Sequence, residues 1–227
     1  MGVNNRALLA EFIGTFGLVF MGGGAIIMGQ GTGLVGIALA HGLAIFLGVS
    51  FSAHISGGHL NPAVTAGFLV TKRMETNVGL AYIASQLLGG IAAALCLRIV
   101  TPGGLATGAR LGTPGPGGAV GPLAVVLGEL ILTFFLLFVI FGTAVDPRGP
   151  KAIFPLCIGM TITMDILAGG PLTGASMNPA RSFGPALVAS FTGIPGAWNM
   201  HLAYWVGPIL GGALAAWLYD NILMEKK

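Results

Sequence analysis

Six stretches of this chain stay apolar for roughly the 20 residues that an α-helix needs to cross a bilayer. They run near 7–29, 33–53, 79–100, 120–143, 151–168 and 201–223. Apolar runs of that length, without alternation, exclude barrel strands, which are about 10 residues long. They also exclude a soluble globule. Charged residues make up 7% of the 227, against roughly 25% in soluble domains. Disordered chains are charge-rich and fail the same test. What remains is an all-α membrane protein.

Two further apolar segments, 61–71 and 178–190, are only about half a bilayer long. Each opens on the same tripeptide, Asn61-Pro62-Ala63 and Asn178-Pro179-Ala180. Asn before Pro is a helix-start signal, with the amide as cap and Pro at the first helical position. The spacing predicts two half-helices that enter the membrane and stop.

The chain also repeats itself. Glu11-x-x-x-Thr15-Phe16 returns as Glu129-x-x-x-Thr133-Phe134, and AYIASQLLGGIAAAL near 81 is answered by AYWVGPILGGALAAW near 203. Each half holds three spans with a half-helix between the second and third. Three is odd, so the second copy enters from the opposite side. The expectation is one membrane domain over 1–227: six transmembrane helices plus two re-entrant half-helices in an inverted repeat. The first repeat covers about 1–115 and the second about 116–227. The longest connection, 101–118, is rich in Gly and Pro and reads as a loop without ligand chemistry.

Lys and Arg set the orientation. With both termini in the cytoplasm, Arg6, Lys72, Arg73, Arg148, Lys151, Lys226 and Lys227 lie inside, and Arg98 and Arg110 outside. A plasma membrane is expected, with a vacuolar membrane as the alternative. The net charge of +3 is scattered and gives no nucleic-acid surface. Cys96 and Cys157 fall within apolar runs and read as inert thiols.

Two inverted half-helices meet N-terminus to N-terminus near the midplane. Each N-terminus carries free N–H groups and about half a positive charge. The Asn61 and Asn178 amides add donors. Such a place suits a small neutral hydrogen-bond acceptor and repels cations. Non-helical backbone at this depth has to line a cavity or be buried in protein. That assigns Gly57, Gly58 and His59, with Gly174 and Ser176, to a channel wall. Intramembrane Glu11 and Glu129 read either as a proton relay or as holders of the adjacent loops, and their duplication favours the second role. Asp165 has no duplicate and either bonds a loop or faces a pore. Arg181 lies one helical turn past Asn178, where the first repeat has Val64, so a single guanidinium faces the path on one side of the midplane.

These residues resemble the aquaporin, or major intrinsic protein, family. The resemblance rests on both Asn-Pro-Ala motifs, both Glu-x-x-x-Thr-Phe signatures, SGGHLNPAVT and NPARSFGP, and it covers essentially the whole chain. It implies a pore in each subunit, a homotetramer, and no cofactor or metal. It also implies an outer selectivity filter of His41, Ile166, Ala175 and Arg181, with a slip of one residue exposing Asp165 or Leu167 instead of Ile166. An aliphatic residue at the second position is similar to the filter of plant tonoplast intrinsic proteins. His59 resembles the family's inner-pore histidine, which orients the loop or gates by pH. Ala175 stands where the family's mercury-sensitive cysteine sits.

The function expected is a passive channel passing water in single file and excluding protons and ions, with ammonia or other small neutral solutes as further cargo. A glycerol- and urea-permeable channel is the alternative. Ser182, Ala186 and Tyr204-Trp205 resemble the water branch instead. A secondary transporter shares the inverted repeat, but beyond Glu11, Glu129 and Asp165 the remaining acids sit beside basic residues at the ends of the spans and offer no site for ion coupling. No nucleophile–base pair or metal motif suggests an enzyme.

Overall fold

The computed structural model describes residues 3–225. Among these the regular structure is entirely helical. Helix α1 (Asn5–Ile27) starts on Asn4, whose side chain accepts from the Arg6 N–H. It turns at Met28 into α2 (Gly29–Ser56), which is broken once at Gly33 (φ 60°). Half-helix α3 (Pro62–Val70) follows, then α4 (Thr76–Val100). The Gly/Pro-rich connection holds the short α5 (Gly103–Gly108) and a tight turn at Arg110–Gly112. The second half has α6 (Pro122–Ile140), α7 (Phe154–Thr173), half-helix α8 (Pro179–Phe191) and α9 (Ala203–Leu218). Wide π-type turns extend α6 to Val145 and α9 to Leu223.

Among the described residues, six helices are long and apolar enough to cross a membrane. Their outward faces carry exposed Leu43, Leu47, Leu80, Leu88, Leu127 and Leu210. Such faces are stable only against lipid or another apolar surface.

The fifth span runs further than its sequence pattern suggests. Its apolar run ends near 168, yet α7 continues through Gly169, Gly170 and Pro171 to Thr173. It ends where Gly174 takes φ 89° and its N–H reaches Gly170 O at 3.0 Å. Helix α2 ends the same way, on Gly57 with φ 90° bonded to Ala53 O at 3.0 Å. Only glycine adopts this left-handed cap without strain. Each cap turns the chain back towards the midplane.

Each half-helix packs on the third span of the other repeat, α3 on α9 and α8 on α4. Helices α2 and α7 join the halves directly. There Gly42 and Gly159 meet backbone to backbone: a Cβ on Gly42 would lie 2.6 Å from Gly159 O, and one on Gly159 2.5 Å from Gly42 O. Small residues allow this approach between membrane helices. Tyr82 Oη donates to Ser56 O at 2.9 Å, and Tyr204 Oη to Thr173 O at 2.6 Å. The repeat seen in the sequence is thus a repeat of contacts.

Three of the basic residues expected on a single side, Arg73, Arg148 and Lys151, are tied down near the C-terminal segment. Arg73 pairs with Asp220 at 2.6 Å. Arg148 pairs with Asp146 and Glu225, both at 2.7 Å, and donates to Leu223 O at 2.9 Å. Lys151 caps the end of α6 through Ala144 O and Asp146 O, each at 2.6 Å. Lys226 and Lys227 lie outside the described residues. Hydrogen bonds from the Arg148 side chain, and then its backbone N–H, hold the Asp146 carboxyl well below the usual carboxylate range. A depressed native value gives a contribution that is full above the unfolded Asp value of about 3.9 and is lost only as pH falls through the native one. Hydrogen exchange should therefore find 219–225 protected at neutral pH and still protected at about pH 4, whereas Arg148→Ala exposes the segment at both. Equal exchange in the two proteins would refute the clamp.

Candidate functional site

Backbone that is neither helix nor sheet has no internal partners for its N–H groups, and lipid supplies none. The two re-entrant segments meet this need with one buried carboxyl group each. Glu11 Oε1 accepts from His59 N (2.9 Å) and Ser56 Oγ (2.7 Å). Its Oε2 accepts from Leu60 N (2.6 Å) and Gln86 Nε2 (2.8 Å). Glu129 repeats the pattern, with Ser176 N (2.9 Å) and Thr173 Oγ1 (2.8 Å) on Oε1 and Met177 N (2.7 Å) on Oε2. The Ser56 and Thr173 hydroxyls also receive Gly58 N (3.1 Å) and Ala175 N (3.0 Å). Both glutamates are fully buried.

This grip holds strained backbone. Leu60 (φ 51°) and Met177 (φ 53°) sit left-handed just before the two asparagines, at about 1–2 kcal/mol each. The left-handed residue turns its carbonyl across the molecular centre. Asn61 Nδ2 donates to Met177 O at 2.8 Å, and Asn178 Nδ2 to Leu60 O at 2.9 Å. The same amides cap their own helices: Asn61 Oδ1 accepts from Ala63 N at 2.8 Å, and Asn178 Oδ1 from Ala180 N at 3.0 Å and Arg181 N at 3.2 Å. One N–H of each amide remains for a third partner. Pro62, Ala63, Pro179 and Ala180 are buried as the first turns of α3 and α8.

A narrow cavity runs through this centre. Its polar lining includes Gly57, Gly58, His59, Asn61, Ser176, Asn178 and Arg181. Its apolar lining comes from stripes at helical spacing, Ile45 and Val49 on α2 and Ile158, Ile162 and Ile166 on α7. His41, Ile166, Ala175 and Arg181 all border it. Leu167 is 42% exposed on the outer face, and Asp165 is buried away from the cavity. The register at the fifth span therefore presents Ile166. Asp165 Oδ2 has no hydrogen-bond partner, so the loop bond entertained for it is not seen. Gly174 is the helix cap behind Ala175 and does not border the cavity.

Arg181 is fixed on two sides. Nη1 donates to Gly112 O at 3.0 Å, and Nη2 meets His41 Nε2 at 3.3 Å. His41 Nδ1 lies 2.8 Å from Ile37 O, a pure acceptor, so Nδ1 carries the proton and Nε2 accepts from Arg181. Arg181 Nε is buried with no protein partner. His59 is tethered by Thr65 Oγ1 at 3.1 Å and lies against the Phe68 ring, centroids 4.3 Å apart. That tether fits a histidine that orients its loop.

Several working residues escaped the sequence reading. Gly112 supplies the carbonyl that steers Arg181, although its loop looked featureless. Ser56, Thr173, Tyr82 and Tyr204 brace the re-entrant segments. The tyrosines stand at matching places in the AYIAS and AYWVG repeats, a signal that could have found them.

The comparisons with known proteins agree with this geometry. The family model described as "Major intrinsic protein" matches residues 3–219. The chain belongs to the major intrinsic protein family. Among curated relatives it is 46% identical to "Aquaporin TIP4-4" of Zea mays, over 97% of this chain and 88% of that one. It is 45% identical to "Aquaporin TIP2-1" of Arabidopsis thaliana, over 96% of this chain and 88% of that one. The "X-ray structure of the aquaglyceroporin from Plasmodium falciparum" superposes with a TM-score of 0.80 at 26% identity, covering 96% of each chain. Membership makes this an integral, multi-pass membrane protein with the aquaporin fold, a channel and not an enzyme, on the TIP-like water-channel branch.

Two outcomes follow. Replacing Glu129 by Gln sets an amide N–H against N–H donors, at about 1–3 kcal/mol for each buried donor left unsatisfied. Glu11→Gln and Glu129→Gln should each lower the unfolding midpoint in detergent, and unchanged midpoints would refute the bracing role. Cys96 and Cys157 are half-buried and do not border the cavity. Mercuric chloride should inhibit weakly, while Ala175→Cys should confer strong block reversed by thiols. Strong block of the unaltered protein would contradict this.

Proposed function

We propose that this protein is a passive water channel that also admits ammonia-sized neutral solutes. The observation that carries the reading is the pair of asparagine amides at the midplane, each held by the opposite re-entrant carbonyl with one N–H to spare. A water molecule there accepts from Asn61 and Asn178, and nearer the mouth it accepts from Arg181 Nε. Donors from opposed half-helices orient water oppositely on the two sides of the centre. A continuous proton wire is broken, and the half-helix dipoles with Arg181 raise an electrostatic barrier to cations and protons.

His41, Ile166, Ala175 and Arg181 act as the selectivity filter in this reading. Their support is that all four border one cavity and that Arg181 is oriented by Gly112 and His41. His41 offers its accepting nitrogen to Arg181, so the filter's donors come from the guanidinium. Ile166 leaves one wall without a polar group. That wall favours a broader neutral-solute range, glycerol and urea included, as the second reading. Relatives carrying the name aquaporin support water as the principal cargo.

The whole chain forms one domain of two inverted repeats that divide near residue 115. The resemblance supports a homotetramer in the bilayer. Arg73, Arg148 and Lys151, gathered at the end that holds the C-terminal segment, support cytoplasmic termini. The TIP-type relatives are plant proteins and lend no support to the plasma-membrane expectation.

Stopped-flow light scattering on proteoliposomes tests the reading. An impermeant osmotic step should give shrinkage well above that of empty liposomes. An ammonia gradient should give faster internal alkalinisation, and glycerol and urea should enter far more slowly than water. Flux equal to empty liposomes would sink the channel reading. Rapid glycerol entry would favour the broader pore.

A further inference from the structure

Helices α1 and α2 of one repeat and α6 and α7 of the other supply corresponding residues to the cavity walls, and the correspondence breaks at one turn. Residues of α1 and α6 correspond as Glu11 does to Glu129, and those of α2 and α7 as Gly57 does to Gly174. On that register Leu18 answers Leu136, Ile45 answers Ile162 and Val49 answers Ile166, all bordering the cavity. At the next turn outward the second repeat has Ile140 facing Ile158, and the first has Gly22 facing His41. Two medium side chains are replaced by one large ring and none.

The ring occupies the place the missing side chain leaves. A Cβ built on Gly22 would fall 2.5 Å from Cδ2 and 2.8 Å from Cε1 of His41, and closer still to Nε2. Real Cβ atoms do not approach so closely, so the ring would have to move. It has little room. Nδ1 is bound to Ile37 O on its own helix, and Nε2 faces Arg181. The remaining direction is into the cavity. The neighbours of Gly22 are different: a Cβ on Gly24 meets only Leu97 Cδ2, at an ordinary 3.6 Å.

Resting on the channel reading above, we infer that Gly22 is a positioning residue for selectivity. The recess it leaves on α1 seats the His41 ring back from the lumen and sets the bore between His41, Ile166 and Arg181. Gly22 touches no solute and acts through the ring. A methyl group there pushes the ring inward, narrows the bore and disturbs the Nε2–Arg181 contact.

The test compares Gly22→Ala, His41→Ala, the double variant and Gly24→Ala in proteoliposomes at equal channel density. Gly22→Ala should lower osmotic water permeability about threefold or more, the scale on which directly contacting residues couple. It should also raise the activation energy of flux. Alanine is the better helix former, so a weakened helix does not account for the loss. Gly24→Ala should match the unaltered protein. In the His41→Ala background the Gly22 change should cost nothing, because no ring remains to displace. Unaltered permeability in Gly22→Ala, or an equal loss in both backgrounds, overturns the inference. If Gly22→Ala fails to fold, His41→Ala should restore folding in the double variant, and failure to restore it overturns the inference as well. An electron cryomicroscopy structure of Gly22→Ala separates this claim from the channel reading. The His41 ring should be displaced into the cavity, and an unmoved ring refutes the inference whether or not the unaltered protein conducts.

Discussion

The structure depends on two buried carboxyl groups that accept hydrogen bonds from backbone which no helix serves. A bilayer core provides no water to solvate free N–H groups. The chain nevertheless needs two non-helical segments at the midplane, because only there can opposed helix N-termini face one path. Glu11 and Glu129 resolve the conflict by binding successive N–H groups, His59 with Leu60 and Ser176 with Met177. The left-handed residues, the cross-bonded asparagines and the seating of α3 and α8 all follow from that grip. The acids are conspicuous in the sequence because their role is costly.

Much of this was legible in the residues. The six spans follow from apolar length, and their ends fall within a few residues of the observed ones. The half-helices follow from Asn-Pro-Ala before a short apolar run, and the inversion from an odd number of spans per repeat. Even the loop-holding role of Glu11 and Glu129 could be argued from their duplication. These features share a cause: they are local or periodic, and a bilayer enforces them strictly.

What escaped was non-local or carried by backbone. Gly112 bonds Arg181 through a carbonyl, which every residue possesses, so no residue type marks it. Its value lies in the Arg110–Gly112 turn, a conformation no motif announced. The end of α7 lies about a turn past its apolar run, because the helix continues through Gly169, Gly170 and Pro171 to the Gly174 cap. Asp165 shows the converse. A lone intramembrane acid suggested a loop bond or a pore wall, and it makes neither contact.

The crossed amides at the centre have a mechanical consequence. Asn61 bonds to the second re-entrant segment and Asn178 to the first, so the two halves are stitched at mid-depth by a reciprocal pair. The stitch is short, buried and far from both headgroup layers. A thicker or thinner bilayer is met by tilting or kinking of the spans. The gauge at the waist is held by hydrogen bonds within one chain.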